Sequence, residues 1–454
     1  MPPARIRAVA SESDVDAASD ASAGSEGGGY GVGAATSEKQ QRAGGLGGGE
    51  PSPRDGRAGR PSNVETPLSL ALGFVRRGLH AYLKGQAEWG SRTMLPRIQA
   101  ACTSKAVKHG FTLMAVLGSE AFYIAAFPAL IWAEAGGASG GAALANGAAH
   151  SALARTLVLF FSGSVVVGNV LKVAVALPRP THTHAGEQRA GAEALPPVDE
   201  GWNRDYAWPS ISAMNSIALP FFVLRYHFGS TYLWNQTSPL TSVALYACAF
   251  VWAAGICGSR LVAGAATPAD VQGGMMIGAF LVRLSLPHHE ALLKWLASPN
   301  STVLGGLSPE VGLPIAAAIV LLVHPVTPRD PRGTYSVINS AKALSFATAF
   351  ALGTRARALA AVACAGGAPS DSSVGESACR AVAGLVLMAA TLRTTHATRR
   401  TITARARAAL GVPGKTIACA IEYALLGALV SLWIPRALEH GADLARTVEA
   451  LVYV

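Results

Sequence analysis

Long apolar runs separated by short polar clusters make up most of the chain from about residue 110 onwards. Runs of roughly 18–24 residues recur, which is the length that an α-helix needs to cross a bilayer. They lack the period-two alternation of barrel strands. Because only helices and closed barrels satisfy their backbone in lipid, the pattern predicts an all-α, polytopic helical membrane protein.

The apolar runs predict about eight to ten membrane-spanning helices. The predicted spans cover residues 110–133, 153–171, 210–226, 241–257, 267–286, 310–323, 337–352, 380–392 and 416–434. Small residues at 134–150 and a basic stretch at 393–415 each predict a loop between spans.

Composition divides the chain into four segments. Residues 1–62 are rich in Gly, Ser and Ala, with few large apolar side chains. They cannot bury enough surface to offset the entropy of ordering, so we expect a disordered tail. Residues 63–104 begin with an apolar stretch that basic residues interrupt, which predicts an amphipathic, interfacial segment. We expect residues 105–290 to form a membrane core and residues 291–454 to form further transmembrane helices.

Charge and cysteine usage limit the classes of partner and cofactor that we expect. The net charge is +10, but the basic residues stand mostly at the ends of apolar runs, where they set orientation and meet anionic headgroups. We therefore expect membrane lipids, and no nucleic acid, as partners. Six cysteines show no paired two-residue spacing, so we expect no disulfide, metal or cofactor. The sequence does not tell which protein partners, if any, the chain has.

Three polar clusters are set into the apolar pattern at residues 172–180, 206–216 and 259–270. Each stands at the end of an apolar run. Charged residues inside membrane-grade sequence are costly and usually functional. The clusters therefore predict one polar pocket that is built from several helix ends.

The residue types in these clusters predict an anion site. Lys172 and Arg179 are two helical turns apart, so both can face one side of a helix end. Arg260 supplies a third cation, and Ser210 opens a helix whose N-terminal N–H groups favour anions. Phosphate is the natural occupant of such a site. For Arg260 alone, the simpler reading of a residue at the membrane border would suffice.

The three clusters resemble the signature of the type-two phosphatidic acid phosphatase and vanadium haloperoxidase superfamily. That signature reads Lys-x6-Arg-Pro, then Pro-Ser-x-His, then Ser-Arg-x5-His-x3-Asp. The matching residues are Lys172, Arg179, Pro180, Pro209, Ser210, Ser259, Arg260 and Asp270. Segments 118–124, 206–215 and 270–274 more narrowly resemble sphingosine-1-phosphate and long-chain-base-phosphate phosphatases. The resemblance implies a lipid phosphate phosphatase-type helical core.

Two departures from the signature bear on catalysis. The position of the nucleophilic histidine is Ala266, and that of the general-acid histidine is Ser212. Asp270, which orients the nucleophile in the family, is retained. An alanine cannot attack phosphorus, and a serine hydroxyl has no pKa suited to acid catalysis near neutrality. The resemblance thus implies that phosphate binding through Lys172, Arg179, Ser210 and Arg260 is kept while no catalytic histidine is intact.

Three functional hypotheses follow for an integral, multi-pass protein, which we expect in the endoplasmic reticulum. The first is a binding protein for a sphingoid-base phosphate or related lipid phosphate, in which phosphoric monoester hydrolysis is weak or absent. The second is an active lipid phosphatase with a substituted mechanism, in which His182 or His184 stands in. The third is a non-enzymatic scaffold or regulator.

The membrane side of the pocket is open at this stage. The basic stretch at 393–415 predicts a cytosolic loop, and the order of the spans puts it on the same face as the polar clusters. The resemblance implies a site that faces the lumen or the outside.

Overall fold

The computed structural model describes residues 67–134, 141–177, 179, 205–229, 238–325, 331–363 and 374–438. The tail predicted at 1–62, and His182 and His184, lie outside the described residues. The chain divides into two units, Met1–Arg77 and Gly78–Val454. The contacts reported below belong to the second unit.

The described residues are almost entirely helical. The helices are α1 Pro67–Trp89, α2 Leu95–Ala101, α3 Lys105–Leu117, α4 Glu120–Glu134, α5 Gly141–Val175, α6 Ile211–Gly229, α7 Pro239–Val262, α8 Pro268–Ser285, α9 His289–Ala297, α10 Pro309–Val323, α11 Pro331–Ala363 and α12 Val374–Ala428. Short π-helical turns occur at Gly90–Met94 and Leu429–Trp433. Within these ranges the β-structure is a single isolated bridge between Val303 and Leu307. The predicted all-α class is confirmed.

Both predicted loops are wrong in part. Helix α5 begins at Gly141, inside the stretch 134–150, and helical residues fill most of 393–415, where two helices meet at a kink at Gly411 within the range given for α12. Alanine, the strongest helix former, is frequent in both stretches, and arginine, another strong helix former, is frequent in 393–415. The backbone of α12 leaves helical geometry at Gly411, where φ is 65° and ψ is −142°.

The first predicted span, at 110–133, is broken rather than continuous. Helices α3 and α4 meet at an angle of 58° at Gly118–Ser119. The hydroxyl oxygen of Ser119 accepts the backbone N–H of Phe122 at 3.3 Å and so caps α4. A Cβ at Gly118 would lie 2.7 Å from Cγ2 of Ile256, so the bend packs directly on α7.

The structure supports a membrane protein with fewer full-length spans than predicted. In the described ranges, three helices are long and apolar enough to cross a bilayer, or up to five if each of two bent pairs counts as one span. The three are Ala152–Val175, Pro239–Val262 and Pro413–Leu438. Two further apolar helices, Ile211–Tyr226 and Pro309–Val323, are shorter. The prediction of eight to ten spans counted such short apolar helices as full spans.

Close backbone approach between α8 and α6 aligns the helix ends that carry the second and third polar clusters. A Cβ at Gly274 would lie 2.4 Å from the carbonyl oxygen of Ser210, and one at Gly278 would lie 2.3 Å from that of Met214. Small residues permit this approach between helices in membranes. The N-termini of α6 and α8 therefore lie side by side.

Candidate phosphate-binding site

Each polar cluster stands at a helix end. Lys172 lies in the last turn of α5, and Ser210 directly precedes α6. Arg260 lies in the last turn of α7, and Asp270 in the first turn of α8. The chain turns sharply after α5, since Ala176 has a φ of 56°.

Hydrogen bonds join the three clusters pairwise. The N–H of Ala207 donates to the carbonyl of Leu177 at 2.8 Å, which links the second cluster to the first. The N–H of Ser210 donates to the carbonyl of Asp270 at 3.1 Å, which links the second to the third. Nη1 of Arg179 donates to the carbonyl of Ala265 at 2.8 Å, which links the first to the third. The clusters thus lie together at one end of the helices.

Asp205 lies at the centre of this arrangement, a residue that the sequence analysis missed. Its Oδ2 pairs with Nζ of Lys172 and lies 3.7 Å from Nη2 of Arg179. Its Oδ1 accepts the N–H of Tyr206 and the hydroxyl of Ser336, each at 2.8 Å. We call these five residues the Asp205 hub. A carboxylate one residue before the second cluster was the available signal.

The Asp205 hub is buried and ionised. Burial alone would raise the pKa of the Asp205 carboxyl, but Lys172 and Arg179 beside it together hold that pKa below its ordinary value. The side chains of Lys172 and Asp205 are 5% and 6% exposed. Two cations and one anion therefore share a water-poor site, where charge-assisted hydrogen bonds are strong.

Arg260 is buried at the end of α7. Its guanidinium lies near Tyr123 on α4 and Cys257 on α7, close enough for its charge to act on both side chains. Its carbonyl accepts the N–H of Ala265 at 3.0 Å, and the carbonyl of that same Ala265 holds Arg179. Arg260 is thus linked to Arg179 through one turn of backbone.

Ser210 serves the backbone in two ways. Its hydroxyl oxygen accepts the N–H of Ala213 at 3.4 Å, which caps α6. Its own N–H is engaged by Asp270. This one N–H is therefore used within the chain, and the expectation that the N-terminal N–H groups of α6 favour an anion stays a prediction. Ser212, the second residue of α6, is half-buried.

Asp270 forms a capping box with Thr267 at the start of α8. Oδ2 of Asp270 accepts the N–H of Thr267 at 2.6 Å and its hydroxyl at 2.8 Å. Oδ1 is buried and has no hydrogen-bond partner among the described residues. Ala266 is buried nearby in a small apolar cluster with Ala213, Cys257 and Val271.

The described residues contain no group of three or more His, Cys, Asp and Glu side chains that could hold a metal ion. What the site presents is cations, the carboxylates of Asp205 and Asp270, and helix-capping hydroxyls. Chemically, such a set can bind and exchange anions.

Comparisons with known proteins agree with this geometry. The "Probable sphingosine-1-phosphate phosphatase" of Dictyostelium discoideum is 21% identical over 225 residues, covering 50% of this chain and 48% of the relative. "Lipid phosphate phosphatase delta" of Arabidopsis thaliana is 24% identical over 246 residues, covering 54% of this chain and 51% of the relative. The chain thus spans about half the length of the curated relatives that it matches. No solved structure matches it.

A family model gives the remaining evidence. The model described as the PAP2 superfamily matches residues 152–293. This interval contains Lys172, Arg179, Asp205, Arg260 and Asp270, and it runs from α5 through α8. The chain therefore carries a PAP2 superfamily domain at residues 152–293, within an all-helical membrane protein.

Proposed function

We propose that this protein binds a lipid phosphate in the membrane and hydrolyses it weakly or not at all. The binding residues are Lys172, Arg179, Ser210 and Arg260, which we call the cradle. The proposed ligand is a sphingoid-base phosphate or a related lipid phosphate. The proposed location is the membrane of the endoplasmic reticulum.

The observation that carries this proposal is the meeting of Lys172 and Arg179 on a single carboxylate. Two cations that share one carboxylate oxygen can also share one phosphate oxygen. Arginine suits phosphate because its planar donors match phosphate oxygens, and lysine adds a point charge. Lys172 lies in the last turn of a membrane helix and Arg179 lies four residues beyond its end, which favours a ligand whose tail lies in lipid.

The residues beside the cradle favour weak or absent hydrolysis. Ala266 and Ser212 stand where the family signature has histidines, and the methyl group of Ala266 is packed among apolar side chains. Asp270 is engaged on one oxygen as a helix cap, so helix capping explains its presence without an imidazole to orient. Loss of one member of a catalytic unit can remove most of its rate enhancement.

The two relatives favour the lipid class. Their names refer to sphingosine-1-phosphate and to lipid phosphate. The ligand proposed for this chain has the same phosphate monoester headgroup.

Parallel assays of lipid binding and phosphate release test this proposal. The full chain, purified in detergent micelles, is incubated with sphingosine-1-phosphate. We expect binding without appreciable phosphate release. The double variant Lys172→Ala with Arg179→Ala should bind about tenfold or more weakly. The control, Arg92→Ala with Arg97→Ala, removes two cations from exposed positions and should bind as the wild type does.

Two outcomes would contradict the proposal. Clear turnover that is lost in Arg260→Ala would show an active phosphatase with a substituted mechanism. Equal binding by the cradle variant and the wild type, or no binding by either, would remove the lipid-phosphate role and leave a scaffold or regulator.

A further inference from the structure

The two cations of the Asp205 hub depend on the Asp205 carboxylate to different extents. Arg179 is also held by backbone, since its Nε donates to the carbonyl of Asp205 at 3.3 Å and its Nη1 to that of Ala265. The buried ammonium of Lys172 donates to the carboxylate itself. Removing the carboxylate would leave Arg179 in place and deprive Lys172 of that anion.

We propose that Asp205 is an internal counter-anion, whose carboxylate takes the place on Lys172 and Arg179 that a phosphate group would take. Asp205 then stabilises the unliganded protein and lowers its affinity for phosphate. This inference rests on the proposed function of the cradle. It makes Asp205 a residue that sets the affinity of the site.

The electrostatic reason is the cost of unbalanced charge in a buried site. A buried cation without a partner is strongly destabilising, so Lys172 requires an anion nearby. Two anions on the same pair of cations repel each other across a short distance. A phosphate must therefore displace the Asp205 carboxylate or bind against its charge.

Ser336 extends this control beyond the PAP2 domain. Its hydroxyl donates to Oδ1 of Asp205 at 2.8 Å, and it belongs to α11, which lies outside residues 152–293. A hydrogen bond to a charged group contributes more stability than a hydrogen bond between two neutral groups. Helix α11 therefore stabilises the Asp205 carboxylate in its place beside Lys172 and Arg179. By our inference, it thereby opposes the binding of phosphate.

Matched serines on α11 provide the test. Ser336 and Ser340 are both fully buried, one turn apart, but Ser340 lies 3.0 Å from Nε2 of His324 instead of contacting Asp205. The variants are Asp205→Asn, Asp205→Glu, Ser336→Ala and Ser340→Ala, in the full chain in detergent micelles. Each is titrated with inorganic phosphate and, separately, with sphingosine-1-phosphate, and its melting temperature is measured.

We expect Asp205→Asn to bind inorganic phosphate about tenfold more tightly than the wild type and to melt at a lower temperature without ligand. Asp205→Glu keeps the charge and should bind weakly, as the wild type does. Ser336→Ala should gain about threefold in affinity, whereas Ser340→Ala should gain none. A larger gain for sphingosine-1-phosphate than for inorganic phosphate identifies the lipid headgroup as the preferred source of phosphate.

An Asp205→Asn variant that binds no more tightly than the wild type overturns the inference. If that variant does not fold, an affinity of Ser336→Ala equal to that of Ser340→Ala overturns it instead. Failure of the proposed function looks different. In that case phosphate binding by the wild type and by Asp205→Asn would not respond to Lys172→Ala with Arg179→Ala.

Discussion

Helix α11 takes part in two buried clusters of charged residues, which we compare as two ionic hubs. One is the Asp205 hub, which contacts α11 at Ser336. The other is centred on Arg355, roughly 28 Å further along α11 at a rise of about 1.5 Å per residue. Both centres are 4% exposed, and both bring distant parts of the chain together.

All three nitrogens of the Arg355 guanidinium donate hydrogen bonds to acceptors of the same chain. Nε donates to Oε1 of Glu310 at 2.8 Å. The other two nitrogens donate to the turn between α9 and α10. Their acceptors are the carbonyls of Leu296, Ser298 and Pro299 and the hydroxyl of Ser301. Each guanidinium nitrogen donates to at least one acceptor of the chain, so this hub fixes a turn.

The difference shows what distinguishes a candidate site from a structural ion cluster in a membrane protein. Both hubs meet the criterion of buried charge. Most acceptors around Arg355 are neutral backbone groups that no ligand would replace. The partner of Lys172 and Arg179 is a carboxylate, and a phosphate can replace it.

The largest expected effect follows from removing the centre of the structural hub. Arg355→Ala should lower the free energy of unfolding by about 3–5 kcal/mol, because it leaves several buried carbonyls without a donor. Binding of sphingosine-1-phosphate by the fraction that folds should be unchanged. Melting temperature and lipid titration of the same sample check both parts.

Lys294→Ala is the control at the same end of the helices. Its side chain is 82% exposed and pairs with Glu290 across one turn, so we expect a change within about 0.5 kcal/mol. A weaker affinity for lipid in folded Arg355→Ala would mean that the two hubs are coupled. The distinction between a structural hub and a binding hub would then be wrong.

The sequence predicted one hub in part and missed the other. Lys172, Arg179 and Arg260 were found because a charge at the end of an apolar run is conspicuous. Asp205 ends a polar loop, where a carboxylate is ordinary, and it becomes significant only when folding brings the first cluster against it. Arg355 follows an apolar run and resembles a residue at the membrane border. Its acceptors lie between 45 and 59 residues away.

The fold shows the same division. Helix type follows from apolar runs and helix propensity, so the all-α class was predictable. The bend at Gly118 depends on the side chain of Ile256, and the pairing of α6 with α8 depends on contacts between backbones. Such tertiary contacts leave no periodic pattern in the sequence.

An intermediate effect is expected where backbone approach, rather than an ion pair, positions the Asp205 hub. Gly274→Ala would bring a Cβ to 2.4 Å from the carbonyl oxygen of Ser210. The segment from Asp205 to Ser210 must therefore shift. We expect a loss of about 1–3 kcal/mol in stability, together with weaker lipid binding.

Gly163→Ala is the matched control, because a Cβ there meets nothing within 4 Å. It should leave binding unchanged and preserve or slightly raise the melting temperature, since alanine favours helix. Normal lipid binding in Gly274→Ala would show that the Asp205 hub tolerates movement of its backbone. It would contradict the claim that the close approach of α8 to α6 positions the site.

The smallest expected effect is the share of the pH dependence of stability that Asp205 contributes, beside that of Glu310 in the Arg355 hub. The pKa of Asp205 is lowered in the folded protein, so its stabilisation is present above the ordinary carboxyl pKa of about 4 and is lost as pH falls through the lowered value. The melting temperature of the wild type should therefore fall more steeply in acid than that of Asp205→Asn. Ser340→Ala keeps both Asp205 and the Arg355–Glu310 pair and should follow the wild-type slope. Parallel slopes for the wild type and Asp205→Asn would mean that Asp205 is not the charged centre of its hub.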